Sequence, residues 1–127
     1  MTLTADDRLA IHELISLHGH LADERRSADL DRFLTSDAAY DIEDFGFGIV
    51  RGMRDIRRLF DEAPGEQPVG HHVTNVLVTE QADGTVRARS KGLSVMADGT
   101  AGTVVYDDVV VSTPGGWRVS YRKVIAR

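Results

Sequence analysis

The chain has 127 residues, a formal net charge of −5 and no cysteine. Its 42% hydrophobic and 28% charged residues are typical of a folded globular protein, and its length suits one domain with a real core. Disulfides, thiol nucleophiles and cysteine-ligated metals are excluded, and the acidic balance with dispersed basic residues argues against nucleic acid or an anionic membrane as the main partner.

The N-terminal segment MTLTADDRLA lacks the basic residues and the apolar run of a signal peptide. No apolar stretch approaches the ~18 residues that a membrane-spanning helix needs. We therefore expect a cytoplasmic protein with no membrane association.

The first part of the chain is predicted to hold three helices. Thr4 and Asp7 have the spacing of a capping box, so the first helix should start near Ala5. Residues at helical spacing then form one buried stripe: Ile11, Leu14, Ile15, His18 and Ala22. A second, short helix has Asp29 near its start and turns inward Leu30, Phe33 and Leu34. A third helix is marked by Ile56, Leu59 and Phe60 and ends in APGEQPVG, residues 63–70.

Strands account for the rest of the chain. Two short strands, near Ala39–Glu43 and Phe47–Arg51, are predicted between the second and third helices. Four longer segments rich in β-branched residues follow, namely HHVTNVLVTE, TVRARSKGLSVMA, AGTVVYDDVVVS and WRVSYRKVIA. Their short connectors, ADG, DG and TPGG, suit antiparallel hairpins. Because the helices precede a meandering sheet, we expect a single α+β domain over residues 1–127.

The segment VGHHVTNVLV, residues 69–78, places unusual polar chemistry at the start of a strand. Side chains alternate between the two faces of a strand. A regular strand would therefore put His71, Val73, Asn75 and Leu77 on one face, and His72 on the other. The simplest interpretation is that one histidine lies on the surface and the other at a strand edge.

Three further polar residues lie on otherwise apolar elements. His18 is on the buried helical stripe, Asp23 is at the end of the same helix, and Arg122 is in the last strand. Each alone is compatible with a structural role. No metal-binding or nucleotide-binding motif is present, so we expect neither a metal nor an organic cofactor.

The order of elements and four segments together resemble a known family. The segments are DRLAIHELISLHGHLADERRSADLDRFLTSDAAYDIE, VRGMRDIRRLF, HHVTN and VVYDDVVVSTPGGWRVSYRK. The chain resembles the SnoaL-like branch of the nuclear-transport-factor-2-like superfamily, which includes polyketide cyclases, scytalone dehydratase, bile-acid dehydratase and hexachlorocyclohexane dehydrochlorinase. The resemblance implies a cone-shaped α+β barrel, with three helices packed on a strongly curved, mostly antiparallel sheet.

The resemblance also implies a site. Relatives use a dyad in which a histidine is the base and an aspartate orients it, and His71 and Asp23 match these positions. Asn75, in the same H-x-x-T-N pattern, is expected to face the pocket as well. His18 takes the place of a tyrosine or lysine that could act as an acid, and Arg122 matches a basic residue that helps to bind a leaving group or oxyanion.

The implied function is a cofactor-independent acid–base lyase, with elimination of water from a small hydrophobic or polycyclic molecule as the first choice. Cyclisation or isomerisation at the same site is the alternative, and a noncatalytic ligand-binding domain is a second alternative. Candidate pocket walls, assigned by pattern, are Leu14, Phe33, Tyr40, Phe60, Val73 and Tyr106. The sheet segments are apolar on both faces, and a homodimer packed through the outer face is therefore expected.

Overall fold

Helices and strands follow one another along the chain in the computed structural model, which describes residues 2–127. The helices are α1 (Ala5–Asp23), a 3-10 helix (Ser27–Arg32) and α2 (Met53–Glu62), with one further 3-10 turn at Glu43–Phe45. The strands are β1 (Leu34–Asp41), β2 (Ile49–Arg51), β3 (Gly70–Glu80), β4 (Val86–Val95), β5 (Ala101–Thr113) and β6 (Gly116–Ala126).

The six strands form one sheet in the order β2-β1-β6-β5-β4-β3. The β1–β6 pair is parallel, and the other neighbouring pairs are antiparallel. The α+β prediction is therefore confirmed, since the helices pack on a curved and mostly antiparallel sheet.

The boundaries of the short elements differ from the prediction. The second helix is a 3-10 helix that ends at Arg32, and Leu34 begins β1 instead of belonging to that helix. Strand β1 thus starts well before Ala39. The sequence pattern did not indicate this start, because a bulge interrupts the pairing with β6 between Leu34 and Ala39 and disturbs the alternation of side chains. Glu43 lies in the following 3-10 turn, and Phe47 precedes β2.

Helix α1 begins at the predicted capping box. The Thr4 hydroxyl accepts a hydrogen bond from the Asp7 amide at 3.0 Å, and the Asp7 carboxylate accepts one from the Thr4 amide at 2.9 Å. The helix buries Ile11, Leu14 and Ile15 in the core. No helix within residues 2–127 is long and apolar enough to span a membrane.

Strand β3 changes its inward face at Asn75. Thr74 pairs with Lys91 and Leu77 pairs with Arg89, so an extra residue is inserted between these pairs. Asn75 has a φ of 57°, a left-handed conformation that asparagine tolerates better than most residues. Because a bulge reverses the alternation, His71 and Val73 face α1 but Asn75 does not. Asn75 is exposed, and the prediction that it faces the pocket is wrong.

Candidate active site

A cavity of about 360 Å³ lies between the end of α1, helix α2 and the inner face of the sheet. This volume is within the range of small-molecule pockets. Its walls are mainly apolar and aromatic and include Tyr40, Ile42, Leu59, Phe60, Val104, Tyr106 and Val124. The titratable side chains in the walls are His18, Arg25, Asp61 and His71, together with the Tyr40 and Tyr106 hydroxyls.

Gly19 sets the distance between α1 and β3. A β-carbon added to Gly19 would lie 2.6 Å from the carbonyl oxygen of His71, which is closer than any real contact allows. The missing side chain lets the backbone of β3 approach the helix directly. Asp23 lies one helical turn further along the same face of α1, so it reaches the same segment of β3.

Asp23 and His71 form a short, doubly anchored contact. The Nδ1 atom of His71 is 2.7 Å from the Asp23 carboxylate. The backbone amide of His71 also donates to this carboxylate, at 2.9 and 3.1 Å from its two oxygens. The carboxylate therefore fixes both the backbone and the ring of His71.

The contact with Asp23 also determines the tautomer of neutral His71. A carboxylate only accepts hydrogen bonds, so Nδ1 must carry the ring proton. The lone pair of Nε2 is then available to accept a proton. Since His71 lines the cavity, this arrangement can present a base to a bound molecule.

His18 lies one turn before Ala22 on α1 and is 4% exposed. Its Nε2 atom is 3.2 Å from the Tyr40 hydroxyl, and its ring packs against those of Phe33, Phe60 and Tyr106. Burial, with the nearby charge of Arg122, holds the pKa of His18 well below the ordinary histidine value of 6.5. His18 is therefore a neutral hydrogen-bonding group near pH 7, and it does not supply the proton of an imidazolium.

Tyr40 is the hydrogen-bonding partner of His18 in the cavity wall. Burial raises the pKa of Tyr40 to about 12, so its hydroxyl stays protonated. Because this hydroxyl can both donate and accept, Tyr40 and His18 form a neutral polar pair in an otherwise apolar wall.

Arg122 lies behind the cavity wall and is paired with Asp108 from the neighbouring strand β5. Two of its nitrogens donate to the two Asp108 oxygens, each at 2.8 Å, and both side chains are 0% exposed. The guanidinium also stacks 3.9 Å from the centre of the Tyr106 ring. Burial lowers the pKa of Arg122, but the Asp108 carboxylate more than reverses this effect and keeps the guanidinium charged.

The structure thus separates the predicted site residues into two groups. Those in the cavity wall are His18, Tyr40, Phe60, His71 and Tyr106, with Asp23 behind His71. Arg122 is not in the wall, so the expectation that it touches a leaving group is wrong, because Asp108 and two aromatic rings enclose it.

Three of the apolar residues predicted as walls lie elsewhere. Leu14 is further down the buried stripe of α1, in the core. Phe33 is fully buried between His18 and Arg122. Val73 packs against Gly19, in the narrow contact between α1 and β3.

Three short connecting segments supply wall residues that the sequence patterns did not indicate. Phe45 and Phe47, from the segment between β1 and β2, are exposed at the cavity. Pro64 and Gln67 come from the segment after α2, and Arg25 follows α1. Exposed aromatic residues flanked by glycine, as in DFGFG, are the signal that could have indicated Phe45 and Phe47.

The described residues contain no preformed metal site. Within residues 2–127, no group of three or more histidine, aspartate or glutamate side chains is placed to hold a metal ion. Two polar groups of the wall, His18 and His71, are instead hydrogen-bonded to Tyr40 and Asp23, which suits proton transfer and the binding of polar groups of an organic molecule.

Comparison with known proteins identifies the family. Residues 3–123 match the SnoaL-like domain, and the chain therefore belongs to the SnoaL-like family. The uncharacterized protein Rv2910c of Mycobacterium tuberculosis is 34% identical over 123 residues, which cover 91% of this chain and 82% of that protein.

Solved structures with the same fold include an NTF2-like protein of Novosphingobium aromaticivorans with a cystatin-like fold. It is 28% identical, has a TM-score of 0.77, and is matched over 95% of this chain and 82% of its own. A protein of unknown function from Nostoc punctiforme shares the fold with a TM-score of 0.84 at 22% identity, over 100% of this chain and 96% of its own.

Proposed function

We propose that this protein is a cofactor-independent acid–base lyase that eliminates water from a small hydrophobic or polycyclic metabolite. The observation that carries this proposal is the 2.7 Å contact between His71 and Asp23 at the wall of an apolar cavity. An oriented histidine of this kind is a competent general base, worth about 10²–10⁴ in rate.

In the proposed reaction, Nε2 of His71 removes a proton from a carbon next to a carbonyl group. The electrons of that C–H bond form the new double bond as the C–O bond to a β-hydroxyl breaks. The His71 imidazolium, stabilised by Asp23, returns the proton to the departing hydroxide, which leaves as water. His71 is neutral again at the end of the reaction, so no other acid is needed.

The neutral pair of His18 and Tyr40 would assist this step by hydrogen bonding. Charge develops on the carbonyl oxygen or on the departing hydroxyl, and the Tyr40 O–H can donate to either. Within this proposal, His18 holds the Tyr40 hydroxyl in place instead of acting as the acid that the resemblance implied.

Isomerisation or cyclisation through an enolate is the second candidate reaction. The contact between Tyr40 and His18 favours this reaction, because a neutral donor such as the Tyr40 hydroxyl suits an enolate oxygen as well as a leaving hydroxyl. Both reactions begin with removal of the same proton by His71. In the elimination the C–O bond breaks as the proton leaves, whereas in isomerisation or cyclisation the electrons pass to the carbonyl oxygen and the resulting enolate reacts at another carbon.

The proposal can be tested with a tetralone probe. We expect the protein to catalyse the exchange of the acidic α-protons of 2-tetralone in D2O and the dehydration of a β-hydroxytetralone. Exchange without dehydration would favour the isomerase or cyclase reaction over the lyase.

Three variants connect either activity to the site. Asp23→Asn and His71→Gln should each lower the rate by about 10²–10⁴. The matched control is His72→Gln, because His72 is the adjacent, exposed histidine on the other face of β3 and should have no effect. Equal rates in all four proteins, or binding of 2-tetralone without any exchange, would leave a noncatalytic binding domain as the better account.

We also propose that the protein forms a homodimer through the outer face of the sheet. Leu77 on β3 and Leu93 on β4 are 68% and 41% exposed on that face. Analytical ultracentrifugation of the unmodified protein should show a dimer, and Leu77→Lys should dissociate it. A monomer in both proteins would contradict this assignment.

A further inference from the structure

Arg25 occupies a backbone position that normally favours glycine. Helix α1 ends in a Schellman motif, in which the Arg26 amide donates to the Leu21 carbonyl at 2.9 Å and the Arg25 amide donates to Ala22 at 3.3 Å. Arg25 is the left-handed residue of this motif, with a φ of 55°. A side chain in this conformation is less favourable than glycine, because its β-carbon crowds the following carbonyl oxygen. The backbone conformation therefore does not favour an arginine here, and the partial negative charge of the helix end is the one local feature that does.

The side chain of Arg25 lines the cavity and lacks a carboxylate partner. Its neighbour Arg26 is paired with Glu24 at 3.0 Å and with Asp29 at 2.6 Å. Within residues 2–127, no acidic side chain lies within ion-pair distance of Arg25, although it contributes to the cavity wall. The cavity therefore has, at the end of α1, a guanidinium that no carboxylate pairs with.

The other charged groups at the cavity leave this guanidinium available. Asp23 is engaged by the ring and the amide of His71, and burial keeps His18 neutral. Asp61, near the end of α2, is the one acidic side chain among the wall residues, and it is not paired with Arg25. An anion in the cavity would thus be attracted by the guanidinium of Arg25 and repelled by the carboxylate of Asp61.

We propose that Arg25 binds a carboxylate of the substrate while the aromatic or polycyclic body of the same molecule lies against Phe60 and Tyr106. An arginine guanidinium matches the two oxygens of a carboxylate, and the flat rings of the wall match a flat apolar body. This inference rests on the proposed function for its choice of cavity, and it adds the chemical class of the substrate.

The test compares two probes that share one ring system. Naphthoate carries a carboxylate, and naphthamide has the same shape without the charge. We expect the unmodified protein to bind naphthoate about tenfold more tightly than naphthamide, as measured by calorimetric titration or by NMR shifts. Arg25→Gly and Arg25→Gln should each bring the ratio of the two dissociation constants close to one and leave the naphthamide affinity unchanged.

Two controls separate recognition from other effects of charge. Arg26→Gln removes a neighbouring cation that is already paired, and should keep the preference for naphthoate. Asp61→Asn removes the opposing carboxylate and should strengthen the binding of naphthoate. If Arg25 only compensates the partial negative charge at the helix end, its substitution will change stability but not the ratio, and the inference is overturned.

The remaining outcomes also decide the question. Equal affinities in the unmodified protein, or binding of neither probe, would overturn the assignment to aromatic carboxylates. His71→Gln should still prefer naphthoate, because probe binding does not need the base. Absence of tetralone turnover in the unmodified protein, with the naphthoate preference present, would contradict the proposed reaction and leave the assignment of Arg25 intact.

Discussion

Two hydrogen-bonded pairs of titratable side chains in this molecule have nearly the same geometry and very different surroundings. The His71–Asp23 pair is 2.7 Å long, and its side chains are 20% and 29% exposed. The Arg122–Asp108 pair is 2.8 Å long, and both side chains are 0% exposed. The first pair reaches the cavity through His71, whereas the second is enclosed by protein.

The difference shows that burial, more than distance, separates the roles of the two pairs. A fully buried pair is expensive to break, because removing one partner leaves an uncompensated charge. A partly exposed pair can change its protonation state at little cost to the fold. His18 lies between the two pairs. Its ring is 6.1 Å from that of His71, and burial together with the charge of Arg122 lowers its pKa.

The largest expected effect comes from breaking the buried pair. Asp108→Asn leaves the Arg122 guanidinium without a counter-charge, and should lower the free energy of unfolding by about 3–5 kcal/mol. Urea denaturation of the two proteins measures this difference.

The adjacent residue provides the control for Asp108. Asp107 faces the outer side of the sheet and makes two longer contacts, at 3.6 Å to Arg87 and 3.8 Å to Arg89. Because this pair of contacts is exposed, Asp107→Asn should cost less than about 1 kcal/mol. Equal costs for the two substitutions would refute the claim that burial distinguishes them.

Moving the exposed pair apart should have the next largest effect. Gly19→Ala places a methyl group against the His71 carbonyl, and overpacking of this kind costs about 1–3 kcal/mol, offset by up to ~1 kcal/mol from the better helix propensity of alanine. The shift of β3 should also weaken the His71–Asp23 contact and slow tetralone exchange. Gly102→Ala, where no atom lies within 4 Å of the added group, should leave both stability and exchange unchanged.

The group between the two pairs should produce a pH dependence of stability. Unfolded His18 takes up a proton near pH 6.5, whereas folded His18 resists protonation until a lower pH. The unfolded state therefore binds more protons below pH 6.5, so this contribution is constant above that pH and is lost as the pH falls below it. The slope is at most about 1.4 kcal/mol per pH unit.

Denaturation at several pH values, with and without His18→Asn, measures this contribution. The substitution should remove part of the loss of stability between pH 6.5 and lower values. The substitution of the exposed His20 by asparagine should retain it. An unaltered slope after His18→Asn would show that His18 is not held neutral.

The smallest effect concerns the cation that has no partner. Arg25→Gly relieves the left-handed backbone strain and should raise the free energy of unfolding by about 1 kcal/mol. Arg26→Gly, at the neighbouring residue with two ion pairs, should lower it. A thermal denaturation series distinguishes the two directions, and a loss of stability in Arg25→Gly would mean that the side chain stabilises the helix end.

Local patterns were sufficient for the larger features of the fold. The capping box at Thr4 and the stripe from Ile11 to His18 depend on helical spacing, and turn residues mark the hairpins, so helices and strands could be predicted. The resemblance to a family brought Asp23 and His71 together across 48 positions, which spacing alone could not do.

Features that depend on the pairing of strands were not predictable. The extra residue at Asn75 arises from the register between β3 and β4. It exchanges the inward and outward positions of the side chains that follow, so simple alternation places Asn75 on the wrong face. Arg122 has Asp108 as its partner because β5 and β6 are paired in a particular register. The exposed residues Phe45 and Phe47 line the cavity through the path of a connecting segment, which no periodicity indicates.

The most direct test of the account is the protonation of the His71 ring, observed by nitrogen-15 NMR at about pH 8 with assignment by His71→Gln. The account predicts a neutral ring with the proton on Nδ1, a strongly hydrogen-bonded Nδ1–H signal, and loss of that signal in Asp23→Asn. A proton on Nε2, or a ring that averages between both forms in the same way with and without Asp23, would contradict the claim that Asp23 orients His71 as a base.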